Sequence, residues 1–118
     1  MKENNRSIGN MAEEVACNYL KGLNYKIITR NFRCKLGEID IIARQGDYIV
    51  FVEVKYRKDN SYGYPREAVN YYKQRNISKV ALYYLLINNI NNYNCRFDVV
   101  EIRASSIELI QNAFDLVY

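Results

Sequence analysis

The residues of this chain best suited to chemistry sit close together in GEIDIIARQGDYIVFVEVKYR, residues 37–57. Side chains alternate along a strand, so Glu38, Asp40 and Ile42 share one face of a first strand, with Ile39 and Ile41 on the other. In a second strand Phe51, Glu53 and Lys55 share a face, and Val50, Val52 and Val54 take its opposite. A two-residue turn at Gln45-Gly46, or a four-residue loop over 44–47, sets Arg44 against Asp47. Glu38 then lies directly opposite Glu53, with Asp40 diagonal to it on the same face, whereas a three-residue loop without a bulge separates them. Like charges so opposed destabilise a sheet, and Ile42 and Phe51 make this face half-apolar. Acids in such a place want a cation. Mg²⁺ or Mn²⁺ takes oxygen ligands, keeps several waters and needs only one or two carboxylates. Lys55, two residues beyond Glu53, is spaced to steady a hydroxide or a phosphate oxygen. The set fits metal-assisted phosphodiester hydrolysis. A solvated hairpin or a structural ion cluster is the other reading of the same residues.

Composition narrows the chemistry further. The chain has no histidine, which excludes Ser-His and Cys-His nucleophiles and a histidine-rich metal site. Cys17, Cys34 and Cys95 are far apart and odd in number, so neither a disulfide framework nor a zinc site is expected. Carboxylates, lysine, tyrosine or a metal held by oxygen remain. With 118 residues, 49% hydrophobic and 25% charged, one domain over 1–118 with a core at about 8–115 is expected. No run reaches the ~18 apolar residues of a membrane span. The start, MKENNRSIGN, lacks the apolar core of a signal peptide, so a cytoplasmic protein with no membrane partner is the expectation.

The formal charge is +4, and the bases concentrate between 55 and 79. Lys55, Arg57, Lys58, Arg66, Lys73, Arg75 and Lys79 stand there against Asp59 and Glu67, with Tyr56, Tyr62, Tyr64, Tyr71 and Tyr72 among them. Such a stretch reads equally as a nucleic-acid surface, with cations for phosphates and rings for bases, or as a solvated helix face.

The elements that must position these residues follow from periodicity. Ala12, Val15, Ala16, Tyr19, Leu20 and Leu23 predict an amphipathic helix over 8–23 with Ser7 as N-cap. Glu13 falls at the rim of that stripe, and Glu14 on the wet side. Strands are expected at 25–29, 37–43 and 48–56, then a loop at 58–64. Pro65 opens a second helix, running to about 87, with Val69, Ile77, Val80, Ala81 and Tyr84 as its buried stripe. Lys73 projects into the middle of that stripe, where it either snorkels or reaches a functional site. A connector at 88–94 leads to a strand at 95–103 and a short one at 107–110. The order α-β-β-β-α-β-(β) predicts an α/β fold with a mixed four- to five-stranded sheet flanked by helices.

Asp40, twelve intervening residues, then Glu53-Val54-Lys55 resembles the D…E-x-K core of the PD-(D/E)xK nucleases, with Ile39 in place of the usual proline. The match tightens with Gly9-x-x-x-Glu13-x-x-Ala16 followed by Tyr19-Leu20, Asn31-x-Arg33, GEIDIIA, VFVEVKYR, Val69-x-x-x-Lys73 and RFDVV at 96–100. That ordered set, covering about residues 8–115, resembles the YraN family of bacterial endonuclease-like proteins, itself similar to archaeal Holliday junction resolvases. The resemblance implies a restriction-endonuclease-like α-β-β-β-α-β core. It implies Glu13, Asp40 and Glu53 as acids of a Mg²⁺ (or Mn²⁺) site and Lys55 as the catalytic lysine. Glu38, Lys73 and Asp98 match family positions without a defined role. Arg33, Arg57, Lys58, Arg66 and Lys73 are the bases expected on the nucleic acid. The implied activity is endonucleolytic cleavage of DNA, branched or junction DNA included. Related resolvases act as dimers, so a homodimer is compatible. A non-catalytic nucleic-acid-binding protein of the same fold is the alternative.

Overall fold

A computed structural model of the chain describes residues 2–57, 69–92 and 94–117, with side chains from residue 9 onward. Helix α1 (Lys2–Gly22) is followed by strands β1 (Lys26–Cys34), β2 (Gly37–Gln45) and β3 (Tyr48–Tyr56). Helix α2 (Tyr71–Ile87) then leads to β4 (Asn94–Arg103) and β5 (Ser106–Phe114). The five strands form one mixed sheet in chain order, with β3 and β4 parallel and every other neighbouring pair antiparallel. A parallel pair needs a crossover, and α2 supplies it. The expected α/β core is present. No helix of the described residues is long and apolar enough to cross a membrane.

The two helices cover opposite faces. Ala12, Ala16 and Leu20, one turn apart along α1, pack on Ile41, Ala43, Val50, Val52, Val100 and Ile102. The alanines let the helix approach closely, and Val15 and Leu23, expected in this stripe, are exposed. On the other face Ile77, Val80, Ala81 and Tyr84 of α2 meet Ile42, Ile49, Phe51, Phe97 and Val99. The middle of β3 is therefore buried on both sides, which its unbroken Ile49-Val50-Phe51-Val52 run reflects. Each such side chain contributes roughly 1.5–3 kcal/mol by leaving water.

Several boundaries differ from the expectation for physical reasons. Helix α1 begins at Lys2, so Ser7 lies within it and does not cap it. Helix α2 starts at Tyr71, where the Asn70 side chain accepts the Lys73 N–H at 2.9 Å. Val69 precedes the helix yet is buried in the same core. The expected loop at 58–64, the start at Pro65, and the bases Lys58 and Arg66 lie outside the described residues. Strands β1 and β5 are longer than expected. Both are sheet edges with a register irregularity each, and Asn31 (φ 53°) and Asn112 (φ 52°) interrupt them in the left-handed region. Such strands lack the alternation from which a boundary is read.

The central hairpin also has a different register. Gln45 pairs with Tyr48, so the two-residue turn is Gly46-Asp47 and not Gln45-Gly46. Gly46 has φ 58°, the sign a two-residue hairpin turn of type II′ requires at its first central position, which glycine adopts without a steric cost. The slip is two residues, so side-chain parity survives and partners change. Glu38 does not face Glu53, and the register runs toward Asp40 instead.

The β2–β3 ladder ends at Ile41 opposite Val52, while β2 stays paired with β1 as far as Gly37. Strand β2 thus leaves β3 just before the acidic residues. Ile39 turns to the α2 side with Ile42, while Ile41 stays on the α1 side, contrary to strict alternation.

Candidate functional site

Where β2 parts from β3 a cavity of about 430 Å³ opens, lined by Gly9, Asn10, Ala12, Glu13, Asn31, Glu38, Asp40, Val54, Lys55 and Tyr56. The Asp40 carboxylate sits in the gap between strands and its Oδ2 accepts the Val54 N–H at 2.8 Å. Glu53 stands close by and is 7% exposed, turned to the α2 side and not into the cavity lining. Burial, and after it the charge of Glu53, pushes the Asp40 carboxyl up to about 7, despite the Val54 N–H and Lys73, which pull the other way. Contact with the Glu53 carboxyl adds to that rise.

Lys73 resolves the ambiguity of its position on the helix. Its Nζ lies 2.9 Å from Glu53 Oε1. Burial would lower its pKa, but the hydrogen bond and charge of Glu53, with Asp40 and Glu38 further off, outweigh that and raise it. One ammonium thus serves two acids, buried Glu53 and half-buried Asp40.

Glu13 reaches the same cavity from α1, as its place at the rim of the helical stripe predicted, and is almost fully buried. Its Oε1 accepts from Asn31 Nδ2 at 2.7 Å and from Arg30 Nε at 3.1 Å. Arg30 Nη1 also holds Glu14 Oε2 at 2.7 Å, and this hydrogen bond keeps the exposed Glu14 carboxyl below the usual carboxylate range. Lys55 is half-buried on the cavity wall and makes no ion pair among the described residues. Glu38 is exposed at the rim, paired with Arg33 Nε at 2.8 Å.

Residues 12–102 match the family described as uncharacterised protein family UPF0102. The chain belongs to the UPF0102 family. A UPF0102 protein of Acetivibrio thermocellus is 51% identical over 123 residues, spanning 96% of this chain and 95% of its own length. One of Lachnoclostridium phytofermentans is 50% identical over 113 residues, spanning 94% and 96%. One of Syntrophus aciditrophicus is 48% identical over 122 residues, spanning 100% and 95%. The YraN resemblance holds at this level, that of the UPF0102 family.

In this UPF0102 chain not every expected site residue converges. Among the described residues no group of three or more acids or cysteines lies close enough to form a ready-made ligand cluster. Asp40 and Glu53 are the close pair, and Glu13 is a separate carboxylate on the cavity wall. Asp98 is not at the cavity at all. It is fully buried and bound by Tyr25 and Arg96, on the α1 side of β4. Arg57 is drawn to Glu101, 3.4 Å away, and Arg103 pairs with the same carboxylate.

Sequence reasoning missed Arg30 as a partner of Glu13, and missed the buried Glu101 entirely. The signal for Glu101 was its spacing from Arg103, two residues along a strand and hence on one face. Arg30 had no local signal, because its contact spans 17 residues between a helix and an edge strand.

Asp40 and Glu53 offer oxygen donors of the kind Mg²⁺ and Mn²⁺ prefer. Asp40 retains a proton well above the usual carboxylate range, so the pair is short of positive charge, and a divalent ion fits that deficit.

Proposed function

We propose that this chain is a metal-dependent endonuclease of the PD-(D/E)xK type that hydrolyses phosphodiester bonds in DNA, branched or junction DNA being the first form to test. The observation that carries this reading is the Asp40–Glu53 pair, two neighbouring carboxyl groups, one lining the cavity and the other held by Lys73 on the α2 side. Asp40 and Glu53 would hold Mg²⁺ or Mn²⁺, with Glu13 joining directly or through water. The chemistry such an ion supplies when bound is a water of lowered pKa and a polarised phosphoryl oxygen.

The chain's own residues account for the rest. Lys55 brings its ammonium to the cavity wall, where it neutralises charge on the attacking oxygen or on the phosphate as the P–O bond to the leaving strand breaks. Val54, whose N–H binds Asp40, ties the position of that carboxylate to the backbone just before Lys55. Arg33 at the rim and the exposed Tyr56 offer a cation for a phosphate and a ring for a base. DNA is thus the proposed partner, and a homodimer the proposed working form on two-fold symmetric junctions.

The test is incubation of pure protein with single-stranded, duplex and four-way-junction DNA, with Mg²⁺ or Mn²⁺. Cleavage is expected with either metal, absent in EDTA and reduced to background in Asp40→Asn. Lys55→Ala loses roughly 10²–10³-fold, the scale of one electrostatic donor to a transition state. Intact substrate throughout the wild-type panel would sink the proposal.

A non-catalytic DNA-binding protein is the second reading, and the engagement of Glu13 by Arg30 and Asn31 favours it, since those donors compete with a metal. On that reading binding of fluorescent DNA falls steeply with salt and is indifferent to Asp40→Asn.

A further inference from the structure

Lys73 is held in place by more than its contact with Glu53. It is the third residue of α2, and its own N–H donates to the capping Asn70 side chain. Four residues on, Ile77 begins the buried stripe that continues through Val80, Ala81 and Tyr84. The packing of that stripe therefore aims Lys73 at the α2 face of the sheet, where Glu53 stands. The ammonium end meets an acid that is only 8% exposed, while the lysine side chain as a whole is 45% exposed. A path back to solvent is open along the stem.

An ion pair with one half-exposed partner contributes little to stability, and a buried carboxylate pair costs more than an apolar pair of the same volume. Fold stability alone does not account for two acids against one lysine. The arrangement makes sense for a cation that can leave. Resting on the metal-dependent reading above, we propose that Lys73 is an exchangeable counter-ion: it occupies the charge position at Glu53 in the metal-free protein and is displaced when a divalent cation binds. Lys73 is then a positioning residue of the site that sets how tightly metal is held.

The experiment is calorimetric titration of Mn²⁺ into wild-type protein and Lys73→Met, with thermal unfolding of both in EDTA and in Mn²⁺. Loss of a competing unit charge a few ångströms from the ion makes Lys73→Met bind Mn²⁺ roughly tenfold or more tightly than wild type. Its unfolding temperature is expected to be lower in EDTA, and to rise more on adding Mn²⁺. Lys73→Arg keeps the charge and binds Mn²⁺ no more tightly than wild type. Should Lys73→Met fail to fold without metal, Lys73→Gln retains a donor of similar reach and answers the same question. Equal or weaker Mn²⁺ affinity in the neutral variant overturns the proposal and leaves the nuclease reading standing. Tighter binding in the neutral variant, with no cleavage by wild type, upholds the exchange and removes the nuclease. Absence of Mn²⁺ binding in every form removes both.

Discussion

Two aspartates, half-buried Asp40 and fully buried Asp98, are neutralised in opposite ways, and the difference separates two ends of the sheet. Asp98 accepts four hydrogen bonds: from Tyr25 Oη at 2.7 Å, Arg96 Nε and Nη2 at 2.9 and 3.0 Å, and the Asn112 N–H at 2.9 Å. Arg96 also binds Gln45 and lies over the rings of Tyr48 and Tyr25. Gln111 joins Tyr25. The network ties the turn end of β2 and β3 to β4 and β5. Tyr25 is so enclosed that burial pushes its hydroxyl up to about 12. Asp40, at the other end of β2, has one backbone N–H, a second carboxyl group as neighbour, and a lysine bonded to that neighbour. At one end of the strand every charge is answered. At the other a deficit of positive charge remains.

The comparison is broken most directly by Asp98→Ala, which strands the Arg96 guanidinium in a nearly closed site. Removing one partner of a buried pair costs about 3–5 kcal/mol, and urea unfolding should show a loss of that order. A loss below 1 kcal/mol would mean the network contributes little.

Asp40→Asn should do the reverse in metal-free buffer. The folded-state value of about 7 lies above the 3.8 of an unperturbed aspartate, so between roughly pH 4 and 7 the folded state keeps a proton that the unfolded state has lost. This contribution to stability is therefore present at low pH and falls as pH rises through that window. Asparagine does not ionise, so the variant should be more stable than wild type at pH 8, by on the order of 2–4 kcal/mol, with a flatter stability profile. Thermal unfolding in EDTA across pH 4–8 measures it, and identical pH profiles would show that Asp40 is not under this strain.

The smallest effect sharpens the role of the cavity's third acid. Asn31→Gly keeps the left-handed backbone and removes only the donor to Glu13, at a cost of about 1 kcal/mol in denaturant unfolding. Because Asn31 competes with a metal for Glu13, the variant should bind Mn²⁺ no more weakly than wild type, and a weaker affinity would show that Asn31 instead holds Glu13 in place for the ion.

Much of this was legible in the residues. The order of elements followed from periodicity, whereas parity did not foresee that alternation breaks in β2, where Ile39 joins Ile42 on the α2 side and Asp40 sits in the gap beside β3. Glu13 was separable from Glu14 by the helical turn alone. The register was misread by two residues, because both the Gln45-Gly46 and Gly46-Asp47 turns use the same glycine and only its position within the turn distinguishes them. Asp98 was a candidate through the family resemblance alone, and its structural role was hidden because its partner Tyr25 lies 73 residues away.

The covalent chain, then, determined which chemistry is available: carboxylates and amines without histidine, spaced along strands and one helical turn. Those properties are local, set by bond geometry and residue type. Which acid meets which cation was decided by the tertiary structure alone. The parting of β2 from β3 sets Asp40 in its gap, the seating of α2 brings Lys73 to Glu53, and the edge strand β1 delivers Arg30 and Asn31 to Glu13. Charge pairing depends on distances of a few ångströms between elements far apart in the chain, and only packing sets those distances.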